Sequence, residues 1–154
     1  MKHDRIVEYA TIAAQPSLGP GERVEVASRV QVGRVSVRRN LVLATLVAVV
    51  TFGGLLVFRV PKVLYLVLTD RRLLFLEPNE LSGRPTTMVA AQHDRPALFA
   101  GPVVPGRVAL LRPASRLTLA LAEPDGSREE LLLTFLGACR QDAPRLANAL
   151  LVGR

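Results

Sequence analysis

An uninterrupted apolar segment, residues 41–58, constrains this chain more than any other feature of its sequence. Its 18 residues carry no charge and include five Leu, five Val and two Phe. A run of this length and composition is typical of a membrane-spanning helix. The twelve large side chains favour insertion by about 4 to 7 kcal/mol, before the Thr and Gly residues subtract part of that gain. We therefore expect an apolar helix here, as a candidate transmembrane helix.

The competing interpretation of this segment is a buried β-strand, because its Val and Thr residues favour strands. Strands usually run about three to ten residues, however, so the length of the segment favours a helix.

Four basic residues flank the segment: Arg38 and Arg39 precede it, and Arg59 and Lys62 follow it. In an inserted helix they would lie near the lipid headgroups, where each contributes on the order of 1 kcal/mol toward anionic lipid. We predict that these four residues contact lipid headgroups. The alternative is that they are ordinary flanking charges without a ligand.

Composition supports an association with lipid or protein and argues against nucleic acid. The chain is 49% hydrophobic and its mean hydropathy is +0.29, so some apolar surface is expected to face a membrane or a partner. The net charge of +7 is spread over both sides of the apolar segment. Phosphate-driven binding needs clustered charge, and no basic cluster interleaved with aromatic residues occurs. A membrane lipid surface is the expected partner, with a protein partner or self-association as the alternative.

Cysteine and histidine are too scarce for most cofactor chemistry. Cys139 is the only cysteine, which excludes an internal disulfide and a thiolate cluster. His3 and His93 are the only histidines, so we expect no metal and no cofactor. The first 20 residues lack the apolar run of a signal peptide. We therefore expect the protein at the cell membrane, with its main domain in the cytoplasm.

Hydrophobic periodicity outlines a strand-rich domain between two helices. The N-terminal helix is expected at residues 3–14 and the first strand at 24–32. A hairpin is expected from strands at 63–68 and 73–76, which a Thr-Asp-Arg reversal joins. Further strands are predicted at 86–92, 102–104, 108–111, 117–122 and 130–135, and a C-terminal amphipathic helix at 138–151, with Cys139 on it.

The hairpin reads YLVLTDRRLLFL at residues 65–76. With the β-rich run and the final helix, it resembles the bacterial PH-like domains over residues 22–152, which leaves residues 1–21 as an N-terminal helix and linker. The resemblance implies an α+β, mostly β fold: a bent, barrel-like sheet with a C-terminal helix. It also implies a binding or scaffolding module, often joined to membrane segments.

A single crossing at residues 41–58 would separate the first strand from the rest of this sheet. The apolar helix is therefore expected as an insertion after the first strand, docked on the bilayer, on the domain or on a second copy. The last case gives the alternative function, a soluble homo-oligomer assembled through the 41–58 helices.

Motifs for catalysis are absent from the sequence. The loop Gly19–Arg23 lacks the Lys and Ser/Thr of a phosphate-binding loop and precedes a strand, so we interpret it as a turn. In the hairpin reversal, Asp70 is expected to accept backbone hydrogen bonds and to pair with Arg71 or Arg72. We expect no catalytic residues and no enzyme. The enzymatic alternative would rest on His93 with Asp94 or Glu80.

Overall fold

The computed structural model describes residues 2–34, 62–108, 112–122, 126 and 128–152. Helix α1 spans His3–Ala14 and helix α2 spans Asp142–Val152. Three 3-10 turns lie at Gln15–Ser17, Arg95–Ala97 and Gly137–Gln141. The strands are β1 Val24–Arg34, β2 Lys62–Thr69, β3 Arg72–Pro78, β4 Pro85–Asp94, β5 Leu98–Val108, β6 Arg112–Ala122 and β7 Arg128–Leu136.

The seven strands form one bent antiparallel sheet in the order β4-β3-β2-β1-β7-β6-β5. Strand β1 lies at its centre and pairs with both β2 and β7. The predicted class, α+β and mostly β, is confirmed. The predicted hairpin is confirmed too, because Leu68 pairs with Leu73 across the Thr-Asp-Arg reversal.

The inner face of the sheet holds the main core. Alternate residues of the strands point inward, and α2 covers them with one apolar face. Leu146 and Leu150 of α2 are buried in this core. Its fully buried side chains include Phe135, Leu66, Leu73, Leu117, Leu119 and Leu133.

The outer face of the first half of the sheet is covered by α1. Ile6 and the small residues Ala10 and Ala14 pack against Tyr65 and Leu74. Strands β2 and β3 are therefore buried on both faces. Double burial explains why residues 63–68 form a nearly continuous apolar run and do not alternate with polar residues.

Two predicted strands, 102–104 and 108–111, are replaced by the single strand β5, and residues 109–111 lie outside the described ranges. The strand runs through Pro102 and Pro105 because β5 is an edge strand, where proline removes no essential ladder bond. A register shift between Ala100 and Val103 absorbs the irregular stretch.

The C-terminal helix begins later than predicted, at Asp142 and not at residue 138. Pro144 has no N–H to donate to the carbonyl of Arg140, so the α-helical ladder cannot extend back through that residue. Cys139 consequently lies in the preceding 3-10 turn, where it is 2% exposed.

The expected transmembrane helix and the expected location at the cell membrane are contradicted. Across the described ranges, no helix has both the length and the apolar composition to cross a bilayer. Helices α1 and α2 have 12 and 11 residues and each buries one face on the sheet, whereas one crossing needs about 20. The segment 41–58, with the alternative oligomer contact through it, lies outside the described residues.

Candidate functional site

A cleft of about 550 Å³ lies between α1 and the outer face of the sheet. We call it the α1 cleft. Strands β1, β2, β6 and β7 border it, together with the 3-10 turn that precedes α2. Its lining includes Ile6, Arg29, Val63, Arg112, Leu136 and Cys139.

Strand alternation and one glycine position this lining. On β1, Arg29 points to the outer face and is exposed. On β7, Thr134 and Leu136 lie on that same face, while the residues between them enter the main core. Gly137 follows with φ +56°, a left-handed conformation that favours glycine. It turns the chain from β7 into the segment that brings Cys139 to the cleft.

The charge of the α1 cleft is positive. Arg29 and Arg112 line it, and no Asp or Glu is among the lining residues that the structure describes. Two other arginines are paired: Arg72 and Arg95 lie 2.9 and 2.8 Å from a glutamate carboxylate. The cleft thus combines an apolar wall with two arginines, and no carboxylate is among its described lining residues.

Arg29 lies over a fixed aromatic ring. Its guanidinium carbon is 6.0 Å from the ring centroid of Tyr65, within cation–π range. Tyr65 is fully buried, and its hydroxyl donates a 2.6 Å hydrogen bond to the carbonyl of Gly83. Burial raises the pKa of Tyr65, and the charge of Arg29 opposes part of that rise. The Tyr65 ring is therefore uncharged, and its hydrogen bond and burial fix its orientation beneath Arg29.

A second cavity, of about 500 Å³, lies between α1 and α2. Its centre is the buried carboxylate of Asp142. Ser28 Oγ donates to Asp142 Oδ2 at 2.7 Å, and His3 Nε2 lies 2.9 Å from both carboxylate oxygens. We call these three residues the Asp142 latch, because they join the beginnings of α1 and α2 to the middle of β1.

The Asp142 latch contains the residue types of a serine nucleophile site but not its geometry. In such a site histidine lies between serine and aspartate, so that its ring nitrogen accepts the serine proton. Here Asp142 lies between Ser28 and His3, and the serine hydroxyl donates its hydrogen bond to the carboxylate. The arrangement fastens elements together and does not activate a nucleophile.

Arg95 fastens the corner between β4 and β5. Its guanidinium donates to the carbonyls of Thr69 and Ala149 at 2.8 and 2.5 Å and pairs with Glu25 at 2.8 Å. Its Nε is buried without a hydrogen-bond partner among the described residues. The contacts connect β2, α2 and β1, so this arginine is structural.

The loop before β1 is a turn, as the sequence predicts, and Gly21 has φ +74° there. Asp70 accepts a hydrogen bond from a backbone N–H, as predicted, and the donor is Arg23 at 3.0 Å. Its predicted pairing with Arg71 or Arg72 is not seen among the described contacts, and Arg72 pairs with Glu22 instead. The turn brings Glu22 into contact with the hairpin. No local sequence pattern indicates this contact.

Of the four predicted lipid-contact residues, the structure describes only Lys62. Lys62 begins β2 and donates a 2.7 Å hydrogen bond to Glu77. Arg38, Arg39 and Arg59 lie outside the described residues.

The residues of the enzymatic alternative form no joint site among those described. His93 packs edge-on against Phe75, with ring centroids 6.3 Å apart. Asp94 is the exposed neighbour on β4, and Glu80 lies in the exposed turn before that strand. Within the described ranges, no group of His, Cys, Asp and Glu is placed to hold a metal ion.

Sequence reasoning missed Arg29, Arg112 and the Asp142 latch. The alternation along β1 places Arg29 on the same face as Ala27 and Gln31. The alternation does not show that α1 packs beside this face and forms a cleft with it, because no sequence pattern indicates that α1 contacts β1.

The sequence matches no family model and no curated protein. The geometry of the α1 cleft therefore carries the functional argument.

Proposed function

We propose that this protein is a non-catalytic binding module of PH-like architecture whose ligand occupies the α1 cleft. The observation that carries the proposal is the cleft of about 550 Å³ lined by Arg29 and Arg112 without a described carboxylate. Two like charges at the mouth of an apolar cleft attract anions and raise their local concentration. Ligand sites are typically concave, mostly apolar and of this size, with few polar groups.

Three features support the PH-like part of the proposal. The strand order has β1 at its centre, with β2–β4 on one side and β5–β7 on the other. Helix α2 follows the last strand and covers the inner face. The hairpin at residues 65–76 forms β2 and β3. These are the features that the resemblance to bacterial PH-like domains implies.

The chemistry of the α1 cleft supports binding over catalysis. Cys139 is its one thiol, and the described lining offers no histidine or carboxylate to act as its base. Cysteine catalysis needs a thiolate and a proton acceptor within hydrogen-bond reach. A turnover that His93→Ala abolishes would contradict the non-catalytic assignment.

An NMR screen tests the proposal. The full chain, labelled with nitrogen-15, is titrated with sets of small acids, bases and neutral compounds. We expect at least one set to shift the amide signals of Gln31, Thr134 and Gly137 in a saturable way. Ala138→Trp, which fills the cleft from an exposed position, should abolish those shifts. Saturable shifts confined to other surfaces, or none at all, would refute the α1 cleft as a ligand site.

A further inference from the structure

We infer that the α1 cleft binds an amphiphilic anion, a molecule with one acidic headgroup on an apolar tail. The inference rests on the proposed function, because it names the class of ligand for that site. A free alkyl carboxylate is the simplest molecule of this class.

The headgroup follows from the two arginines. A guanidinium presents five N–H donors in a fixed fork that matches a carboxylate. The cation–π contact of Arg29 uses the face of the Tyr65 ring and consumes none of those donors. Thr134 and Gln31 line the same cleft and add uncharged donors. Arg112 supplies the second fork from β6, which β7 separates from β1 in the sheet.

The tail follows from the rest of the lining. Ile6, Val63 and Leu136 contribute apolar surface. Cys139 adds to it, because a free thiol behaves as a small hydrophobic group. A hydrophilic anion would leave this surface in contact with water. An apolar tail would cover it and gain the free energy of apolar burial.

The second cavity offers no comparable site. Its carboxylates are already engaged, Asp142 with His3 and Ser28, and Glu25 with Arg95. A ligand there would have to displace these contacts. A polyanion is also disfavoured in the α1 cleft, because two cations cannot match a long row of phosphates.

Four probes separate the headgroup from the tail. Octanoate carries both, acetate only the charge, octanol only the tail, and octyltrimethylammonium the tail with the opposite charge. Each is titrated as the free monomer into the full-length protein. Binding is measured by the cleft amide shifts, and independently by the rate at which iodoacetamide alkylates Cys139, the only cysteine. We expect octanoate to bind about tenfold more tightly than the other three and to slow alkylation most.

Two variants and one matched control test the role of the arginines. Arg29→Gln and Arg112→Gln should each weaken octanoate binding by about tenfold and leave octanol binding unchanged, because each removes one charge-assisted contact. Arg128→Gln is the control, since Arg128 also lies over an aromatic ring, that of Phe99 at 5.8 Å, but outside the cleft. It should bind octanoate as the parent does. All three arginines are exposed, so the fold is expected to persist.

The outcomes separate the ligand class from the proposed function. If octanol or octyltrimethylammonium binds the cleft as tightly as octanoate, the cleft is a ligand site and the anionic class is wrong. If none of the four probes shifts the cleft amides, the class is wrong and the compound screen decides the proposed function. Vesicles of phosphatidylglycerol form a separate arm. Protection of Cys139 by vesicles but not by octanoate would overturn the assignment of a free amphiphile.

Discussion

Two hydrogen bonds join the guanidinium of Arg72 to the carboxylate of Glu22, from Nε to Oε1 at 3.0 Å and from Nη2 to Oε2 at 2.9 Å. The Glu22 side chain is only 1% exposed. Its carboxylate also accepts 2.7 Å hydrogen bonds from the Thr69 hydroxyl and from the backbone N–H of Gly19. One buried carboxylate thus holds the turn before β1 to the β2–β3 hairpin.

This contact predicts acid sensitivity. The hydrogen bond from Arg72 lowers the pKa of Glu22 from 4.5 to about 2; burial opposes the shift, and the bonds from Gly19 and Thr69 add to it. Because the pKa is lower in the folded protein, the stabilisation is complete above about pH 4.5 and is lost as the pH falls toward 2. Its size is about 3 kcal/mol. Urea unfolding between pH 7 and pH 2 should show Glu22→Gln much less stable than the parent at pH 7 and nearly equal at pH 2.

Glu80→Gln is the control for that series, because Glu80 lies in an exposed turn. Its free energy of unfolding should follow the parent at every pH. A constant difference between Glu22→Gln and the parent across the range would show that the ionised form of Glu22 is not preferentially stabilised.

The Asp142 latch predicts that Asp142→Ala destabilises the protein by about 2 to 4 kcal/mol, because the buried Ser28 hydroxyl loses its acceptor. Hydrogen exchange of the α1 amides should accelerate, since His3 loses its partner. Glu8→Ala is the matched control, because Glu8 is an exposed acidic residue on the same helix. Equal exchange rates in α1 for both variants would contradict the latch.

Two isoleucines on one helix test how α1 docks. Ile6 is 5% exposed and packs on the outer face, whereas Ile12 is 53% exposed. Ile6→Ala should lower the free energy of unfolding by about 2 to 4 kcal/mol, because it removes buried side-chain volume. Ile12→Ala should change it by less than about 1 kcal/mol. Chemical denaturation of both variants measures the difference, and similar losses would place α1 in another orientation.

The Tyr65 hydroxyl predicts a smaller effect. Tyr65→Phe removes the hydrogen bond to the carbonyl of Gly83 and should cost about 1 kcal/mol while the ring stays packed. Tyr9→Phe is the control, since the Tyr9 ring contacts Arg84 and should keep that contact without its hydroxyl. Thermal unfolding compares the two, and a larger loss for Tyr9→Phe would be inconsistent with the described hydrogen bond.

The sequence alone predicted most of the strands, the hairpin and both helices, because their signals are local. Alternation places one face of β1 inward, and a Thr-Asp-Arg reversal joins β2 to β3 within a few residues. Local patterns failed where an edge or a proline decided the boundary. Strand β5 continues through two prolines because it pairs on one side only, and α2 begins at Asp142 because of Pro144.

The candidate site was decided by the tertiary structure. His3 and Asp142 meet across 139 positions, and Glu22 reaches Arg72 across 50. Periodicity reports which face of an element is apolar but not which distant element covers it. Arg29 became part of a cleft only because α1 packs beside it on the outer face of the sheet. The sequence determined the strands and their apolar faces, since these depend on near neighbours; packing between remote segments determined the site.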